Sequence, residues 1–367
     1  MHFKTILASA AAVAMTAFTL APAARAQTFI NSGEVTGASN VGGIFGKVES
    51  PPPCCVNGFG GVEDTVYINL AATPNYTLVT GLGPNYNVST DMANARRDRI
   101  YLKKLKASCQ ICGFKMGTPP GEFSNGALNE DVVGVDLTSP FYIGVLPITR
   151  YQYQKVLGLS ATNPDWAATS KDVNCTWNSV RGANTDPQIS GGYLSGSWLH
   201  TLQGKMVSGV PFKFDLPTEA QWEYACRAGT TGQFSDGLGA VSTTIAELKT
   251  RMEPLGFYVD HPLNQGIPEM GNWNPNPAGL FDLHGCVHEW CRDVGDSRTA
   301  NGYGTPSPVT GRYVDPVRGN AGTANKVWRG GCYATQVWNC RSAFRLTGDP
   351  SGGSPTTGFR LAANPNP

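Results

Sequence analysis

Leu216-Pro217-Thr218-Glu219-Ala220-Gln221-Trp222-Glu223-Tyr224-Ala225-Cys226-Arg227-Ala228-Gly229-Thr230 is the stretch from which the fold is read. Thr218 is placed to accept from the backbone N–H of Gln221 while the Gln221 side chain reaches back, which is a capping box. Trp222, Ala225 and Cys226 then fall on one helical face, and Gly229 supplies the stop. The same grammar recurs at Thr149-Arg150-Tyr151-Gln152, with Tyr153, Val156 and Leu157 on one face and Gly158 closing the segment. Both are helix signals and carry no chemistry of their own.

Around these two helices the chain is built of short pieces. From Phe114 onward, Gly, Pro, Asn and Asp interrupt every few residues, and the last third is dominated by Gly279-Leu280-Phe281-Asp282, Trp328-Arg329-Gly330-Gly331 and Gly358-Phe359-Arg360. Long connections of this kind need fixing by disulfides, ions or buried polar pairs, because loop backbone must still satisfy its hydrogen bonds. Upstream, Thr65-Val66-Tyr67-Ile68-Asn69-Leu70 is strand-like. The basic cluster from Arg96 to Lys106, with Ile100, Leu102 and Leu105 interleaved, reads as the solvated face of a short helix or strand. Residues 27–58, through Pro51-Pro52-Pro53, lack sustained periodicity and read as a linker or loosely held arm.

The N-terminus has the form of a signal peptide. His2 and Lys4 precede an apolar run from Ile6 to Ala21, and Ala24-Arg25-Ala26 has the small-x-small pattern of a cleavage site. Cleavage after Ala26 implies a periplasmic or secreted protein, and no later stretch is long or apolar enough for membrane insertion. The chain carries 28 Lys plus Arg against 27 Asp plus Glu, which gives no electrostatic footprint for nucleic acid. With 44 Gly, 26 Pro and eight Trp, it is a folded, loop-rich protein rather than a disordered one. Ten cysteines in an exported chain point first to disulfides. Cys109-x-x-Cys112 is a candidate local disulfide, with redox or metal duty as its alternative.

The ordered set of blocks resembles the sulfatase-modifying-factor, or formylglycine-generating-enzyme, family. Phe114-Lys115-Met116-Gly117 is similar to its opening strand, and Phe141 to Thr149 with Tyr153 to its strand-into-helix block. Leu216 to Thr230 is nearly its consensus. Asn276 to Gly285 continuing to Glu289-Trp290, then Arg329-Gly330-Gly331, Asn339 to Arg345 and Gly358-Phe359-Arg360-Leu361 complete the series. The resemblance implies an α+β variant of the C-type-lectin fold, low in regular structure. The domain is expected at residues 111–364, after a signal peptide at 1–26 and an N-terminal extension at 27–110.

Family chemistry is the oxidation of a substrate cysteine on copper held by two thiolates, and soft thiolates suit copper(I). In the oxidising relatives that pair lies a few residues after Arg-Gly-Gly-Ser and five apart. Here Gly330-Gly331 leads into Cys332-Tyr333-Ala334-Thr335-Gln336-Val337-Trp338-Asn339-Cys340, and Thr335 stands where the first copper cysteine is expected. Cys332 occupies a position that is usually serine, and Cys340 matches a cysteine common in non-oxidising relatives. Cys332 and Cys340 remain the catalytic candidates, with copper as cofactor, if the loop folds back. The resemblance also implies a structural calcium on Asp282, Gly285, Val287 and Glu289, where hard oxygen ligands from a Gly-containing loop suit the ion. His284, His288 and Glu289 form an H-x-x-x-H-E pattern that on a helix would suggest zinc, but the block reads as a Gly-interrupted loop in which His284 is ordinary for the family. Arg329, Arg341, Arg345 and Arg360 are expected to form buried ion pairs, since the planar fork satisfies several acceptors at once.

Three functions are compatible with this sequence. The first is a binding module that presents Tyr333, Thr335, Gln336 and Trp338 to a protein, peptide or glycan. The second is an oxidoreductase that modifies an exported protein or peptide. The third is a calcium-stabilised structural component of an exported complex. The oligomeric state is left open.

Overall fold

Both capping boxes form at their expected positions in the computed structural model of the chain. Thr149 Oγ1 accepts from Gln152 N–H (3.2 Å) and Gln152 Oε1 from Thr149 N–H (3.1 Å), starting the helix Arg150–Leu157, which Gly158 ends at φ 73°. Thr218 and Gln221 exchange the same two bonds, each 3.0 Å, at the head of the helix Glu219–Arg227. Its stop comes one residue earlier than expected, because Ala228 already takes the left-handed conformation at φ 44°. All nine residues of this helix are buried, not one face alone. Thr218→Ala removes one cap acceptor from a buried helix end and is expected to cost about 1 kcal/mol, read as a lower urea midpoint at unchanged slope.

The structure describes residues 59–72, 75–109, 111–122, 130–160, 175–183, 185–239, 242–263, 268–295, 306–319 and 325–365. The expected signal peptide and the 27–58 linker lie outside them. The larger sheet has six strands in the order Thr77–Val79, Val62–Asn69, Arg99–Leu105, Phe141–Gly144, Ala362–Pro365, Phe212–Asp215, with every pairing antiparallel. Three of these strands come from residues 62–105. The boundary expected at 110 therefore falls inside one hydrogen-bonded sheet, and from Val62 onward the extension is part of the core domain.

The basic cluster is corrected with it. Arg99–Leu105 is an inner strand of that sheet, and Lys103 is buried, its ammonium donating to Pro84 O (3.1 Å) and Tyr86 O (2.9 Å).

A second sheet runs Arg345–Gly348, Lys326–Arg329, His288–Val294, Thr357–Phe359, the last pair parallel. One apolar cluster joins the two sheets through Trp177, Trp198, Trp290, Phe214 and Phe359. A smaller cluster of Phe234, Leu248, Met252, Leu255 and Tyr258 takes in Val337 and Cys340. Between these elements the backbone is irregular, and buried arginines fix it as expected. Arg360 pairs with Glu289, Arg341 with Glu130 and Glu122, Arg345 with Glu219, and Arg329 with Glu223.

Candidate functional site

The strand Lys326–Arg329 delivers the chain into Gly330 (φ 90°) and Gly331 (φ 73°), two left-handed residues that turn it back on itself. A Cβ at Gly331 would lie 2.6 Å from Asn339 O and 2.8 Å from Cys340 Sγ, so this close approach requires glycine. Cys332 to Thr335 then form a tight turn. Thr335 Oγ1 accepts from Cys332 N–H (2.9 Å) and donates to Cys332 O (3.0 Å), and Thr335 N–H also donates to Cys332 O (3.0 Å). One turn of 3-10 helix, Val337–Cys340, brings Cys340 Sγ to 4.0 Å from the same Thr335 hydroxyl. The loop does fold back, and Cys332 and Cys340 meet around Thr335.

Three outside contacts hold the turn. Tyr333 N–H donates to Cys286 O (2.9 Å), and Val259 N–H donates to Thr335 O (2.9 Å). The third comes from His284, whose Nδ1–H donates to Cys340 O (2.8 Å). That tautomer leaves Nε2 to accept from Ser235 N–H (3.1 Å) and Ser235 Oγ–H (2.8 Å). Burial keeps this imidazole neutral, lowering its pKa to about 4.

The thiols are unbridged and sequestered. Cys332 is 1% and Cys340 0% exposed. Burial pushes both above the ordinary thiol range, and pushes nearby Cys286 well above it. Copper(I) on two thiolates needs both protons gone and a position open to substrate. Here Cys340 Sγ lies against Gly331 and points to Gln336 O at 3.8 Å, so the pair does not fit an open copper site. Of the expected contact residues, Tyr333, Thr335, Gln336 and Trp338 are all half-buried, with Ala334 exposed between them. Trp338 packs on the cluster around Tyr258.

The four residues expected to hold calcium are brought near one another but with their carboxylates committed. Asp282 stands at φ 58°, its Oδ2 accepting from Gly271 N–H (2.6 Å) and its Oδ1 facing Cys286 Sγ at 3.7 Å. Burial raises Asp282 to about 6. Glu289 has both oxygens in the Arg360 fork (2.8 and 3.0 Å) and also accepts from the Trp222 indole N–H (2.7 Å). A calcium ion on Asp282, Gly285, Val287 and Glu289 would need that second carboxylate turned toward it. The set as arranged does not fit the cation.

The His284/His288 pattern is not a zinc site either. The two lie on separate short strands rather than one helix, His284 serving Cys340 and Ser235 while His288 stacks on Trp328.

The local Cys109–Cys112 bridge is also corrected. Gly113 N–H donates to Cys109 O (2.7 Å) in a turn that leaves Cys112 an exposed thiol, while Cys109 is buried and disulfide-bonded.

Sequence reasoning missed Cys286 as a neighbour of the loop. No sequence signal pointed to it, because its left-handed conformation at φ 62° is not announced by a non-glycine residue.

The sequence and the fold have counterparts among known proteins. The sulfatase-modifying factor enzyme 1-like domain model matches residues 106–365. A formylglycine-generating enzyme of Thermomonospora curvata is 32% identical over 157 residues, which is 41% of this chain and 49% of that protein. A serine/threonine-protein kinase pkn1 of Chlamydia pneumoniae is 26% identical over 256 residues, 67% of this chain and 37% of that protein. The chain thus spans between a third and a half of the length of these relatives.

Among solved structures, PvdO from Pseudomonas aeruginosa superposes with a TM-score of 0.52 at 20% identity, covering 72% of this chain and 94% of that one. Treponema denticola variable protein 1 superposes at 0.50 and 21%, covering 73% and 96%. At such identities these two speak for the fold alone, an α+β variant of the C-type-lectin type. With the domain match covering well over half of its residues, the chain belongs to the sulfatase-modifying factor enzyme 1-like family.

Proposed function

We propose that the chain is a non-oxidase member of this family, acting in the periplasm or the external medium, that binds a protein, peptide or glycan through the Cys332–Asn339 loop. Thr335 carries the reading. Its hydroxyl occupies the place between two buried, protonated thiols, so neither thiol is a nucleophile or an open metal ligand near neutral pH. The accessible side of the loop offers Tyr333 and Trp338 on either side of Thr335 and Gln336. Aromatic rings give contact area at low entropic cost, and the Gln336 amide supplies adaptable hydrogen bonds. Oxidative modification of an exported protein or peptide is the second reading, favoured by the convergence of Cys332 and Cys340 on one hydroxyl.

The two readings separate in one set of measurements on the purified chain. In native alkylation followed by peptide mapping, Cys112 is expected to react, while Cys226, Cys286, Cys332 and Cys340 react only after denaturation. On glycan and peptide arrays, Tyr333→Ala and Trp338→Ala are expected to weaken binding by about tenfold or more. Native labelling of Cys332 and Cys340 that copper(I) blocks at both, with conversion of a Cys-x-Pro-x-Arg peptide to its aldehyde, would overturn the binding reading.

A further inference from the structure

A cavity of about 410 Å³ lies among three helices, Arg150–Leu157, Trp177–Arg181 and Trp198–Lys205, and shares no residue with the Cys332–Asn339 loop. Its volume is that of a small-molecule site, for which about 300–1,000 Å³ is usual. The exposed Ala183, Leu194 and Ser195 form its mouth, and the buried Tyr153 and Ser197 its floor.

The walls are fixed from behind. The Tyr153 ring stacks on Trp198 with centroids 6.0 Å apart and planes at 6°, and the Trp198 indole N–H donates to Tyr153 O (3.2 Å). Leu194 N–H donates to Arg181 O (2.9 Å). A Cβ on Gly182 would stand 2.6 Å from the Leu194 side chain, so the bare glycine lets that leucine close against the helix end. Leu194 on one side and half-buried Leu157 on the other give the space two apolar surfaces.

The polar groups narrow what can enter. No lining side chain carries a charge, and burial raises Tyr153 to about 12, so its hydroxyl stays neutral. A charged guest would lose its hydration with no counter-charge to replace it. Tyr153 O–H donates to Ser179 Oγ (3.3 Å), which leaves the Tyr153 oxygen to accept. Ser197 Oγ accepts from His200 N–H (3.3 Å), which leaves the Ser197 hydrogen to donate. Asn178 and Ser195 offer both kinds of bond. The guest is therefore uncharged, gives and takes hydrogen bonds, and has apolar faces for the two leucines. A sugar ring combines all three, with hydroxyls around its rim and C–H groups on its faces.

We propose that this cavity binds a neutral saccharide of one or two rings. Its occupation is independent of what the Cys332 loop binds.

The test is saturation-transfer NMR on the full chain with maltose, cellobiose and N,N′-diacetylchitobiose as probes. Each is raised to about 10 mM, enough to fill a site of millimolar Kd. At least one is expected to bind saturably. Ala183→Trp and Ser195→Trp, each filling the mouth from an exposed position, are expected to abolish that binding. Tyr153→Phe keeps the ring and is expected to weaken it by about threefold to tenfold. Glucose 6-phosphate is expected to give no signal. Binding by none of the three disaccharides, binding intact in both tryptophan variants, or equal binding of glucose 6-phosphate overturns the proposal. Saturable binding of N-acetyl-trialanine amide in place of the sugars also overturns it, and would assign the cavity to an uncharged peptide.

Discussion

Glu289→Gln and Arg360→Met are each expected to lower folding stability by about 3–5 kcal/mol, because each leaves a buried charged or polar group without its partner. Arg360 donates to Glu289 through two nitrogens and to the carbonyls of Gly144, Val145 and Phe281 at 2.7–2.9 Å. Glu289 in turn accepts from Trp222. One ion pair, both of its side chains at 0% exposure, therefore ties together two sheets, the buried helix and the Asp282 block. Urea midpoints measure the loss. It is expected to be the same in calcium and in a chelator, since the carboxylate is already held. A wild-type midpoint that rises with calcium, beside a Glu289→Gln midpoint that does not, would return the cation to this block.

Arg329→Lys is expected to cost about 3 kcal/mol and to loosen the loop, although it preserves charge. The Arg329 guanidinium bonds Glu223 and donates to Ala343 O (2.6 Å) and Phe344 O (2.5 Å), while Glu219 lies 3.6 Å from its Nε. An ammonium cannot span acceptors on the helix and on the returning chain at once. Because Arg329 is the residue from which Gly330 and Gly331 depart, its loss frees both ends of the Cys332–Cys340 turn. Cys332 and Cys340 should then be alkylated natively in the variant and not in the wild type. Protection that survives Arg329→Lys would show that the Cys286, Val259 and His284 contacts suffice.

What was legible in the sequence is local. A capping box is decided by residues three apart, and Thr149–Gln152 and Thr218–Gln221 both form as read. The same logic would have found Thr176 before Ser179 and Thr244 before Glu247, which also close boxes. The arginines were legible because a loop-rich core must hold its turns with multidentate donors.

The sheet was not. Arg99–Leu105 shows three lysines and arginines in seven residues, and nothing nearby in sequence indicates that Val62–Asn69 and Phe141–Gly144 flank it. What was missed is that residues 62–105 add strands to the same sheet, while the family match at 106–365 begins close to the expected 111. At the site, the retreat of Cys340 from solvent depends on packing by Val337 and Tyr258, which spacing alone does not encode. Nor could the Arg360 fork on Glu289 be read without knowing where Arg360 points.

The position of Ala362–Pro365 bears on how the molecule comes to exist at all. This strand lies between Phe141–Gly144 and Phe212–Asp215, so the six-stranded sheet stays in two parts until residue 365 has been synthesised. A growing chain can make its capped helices early, yet it must wait with two open strand edges for a segment more than two hundred residues downstream of the first. Such a chain is vulnerable to mispairing while it waits, and is suited to a holding partner during biogenesis. Truncation just before Ala362 should accordingly give aggregates rather than a slightly shorter native protein.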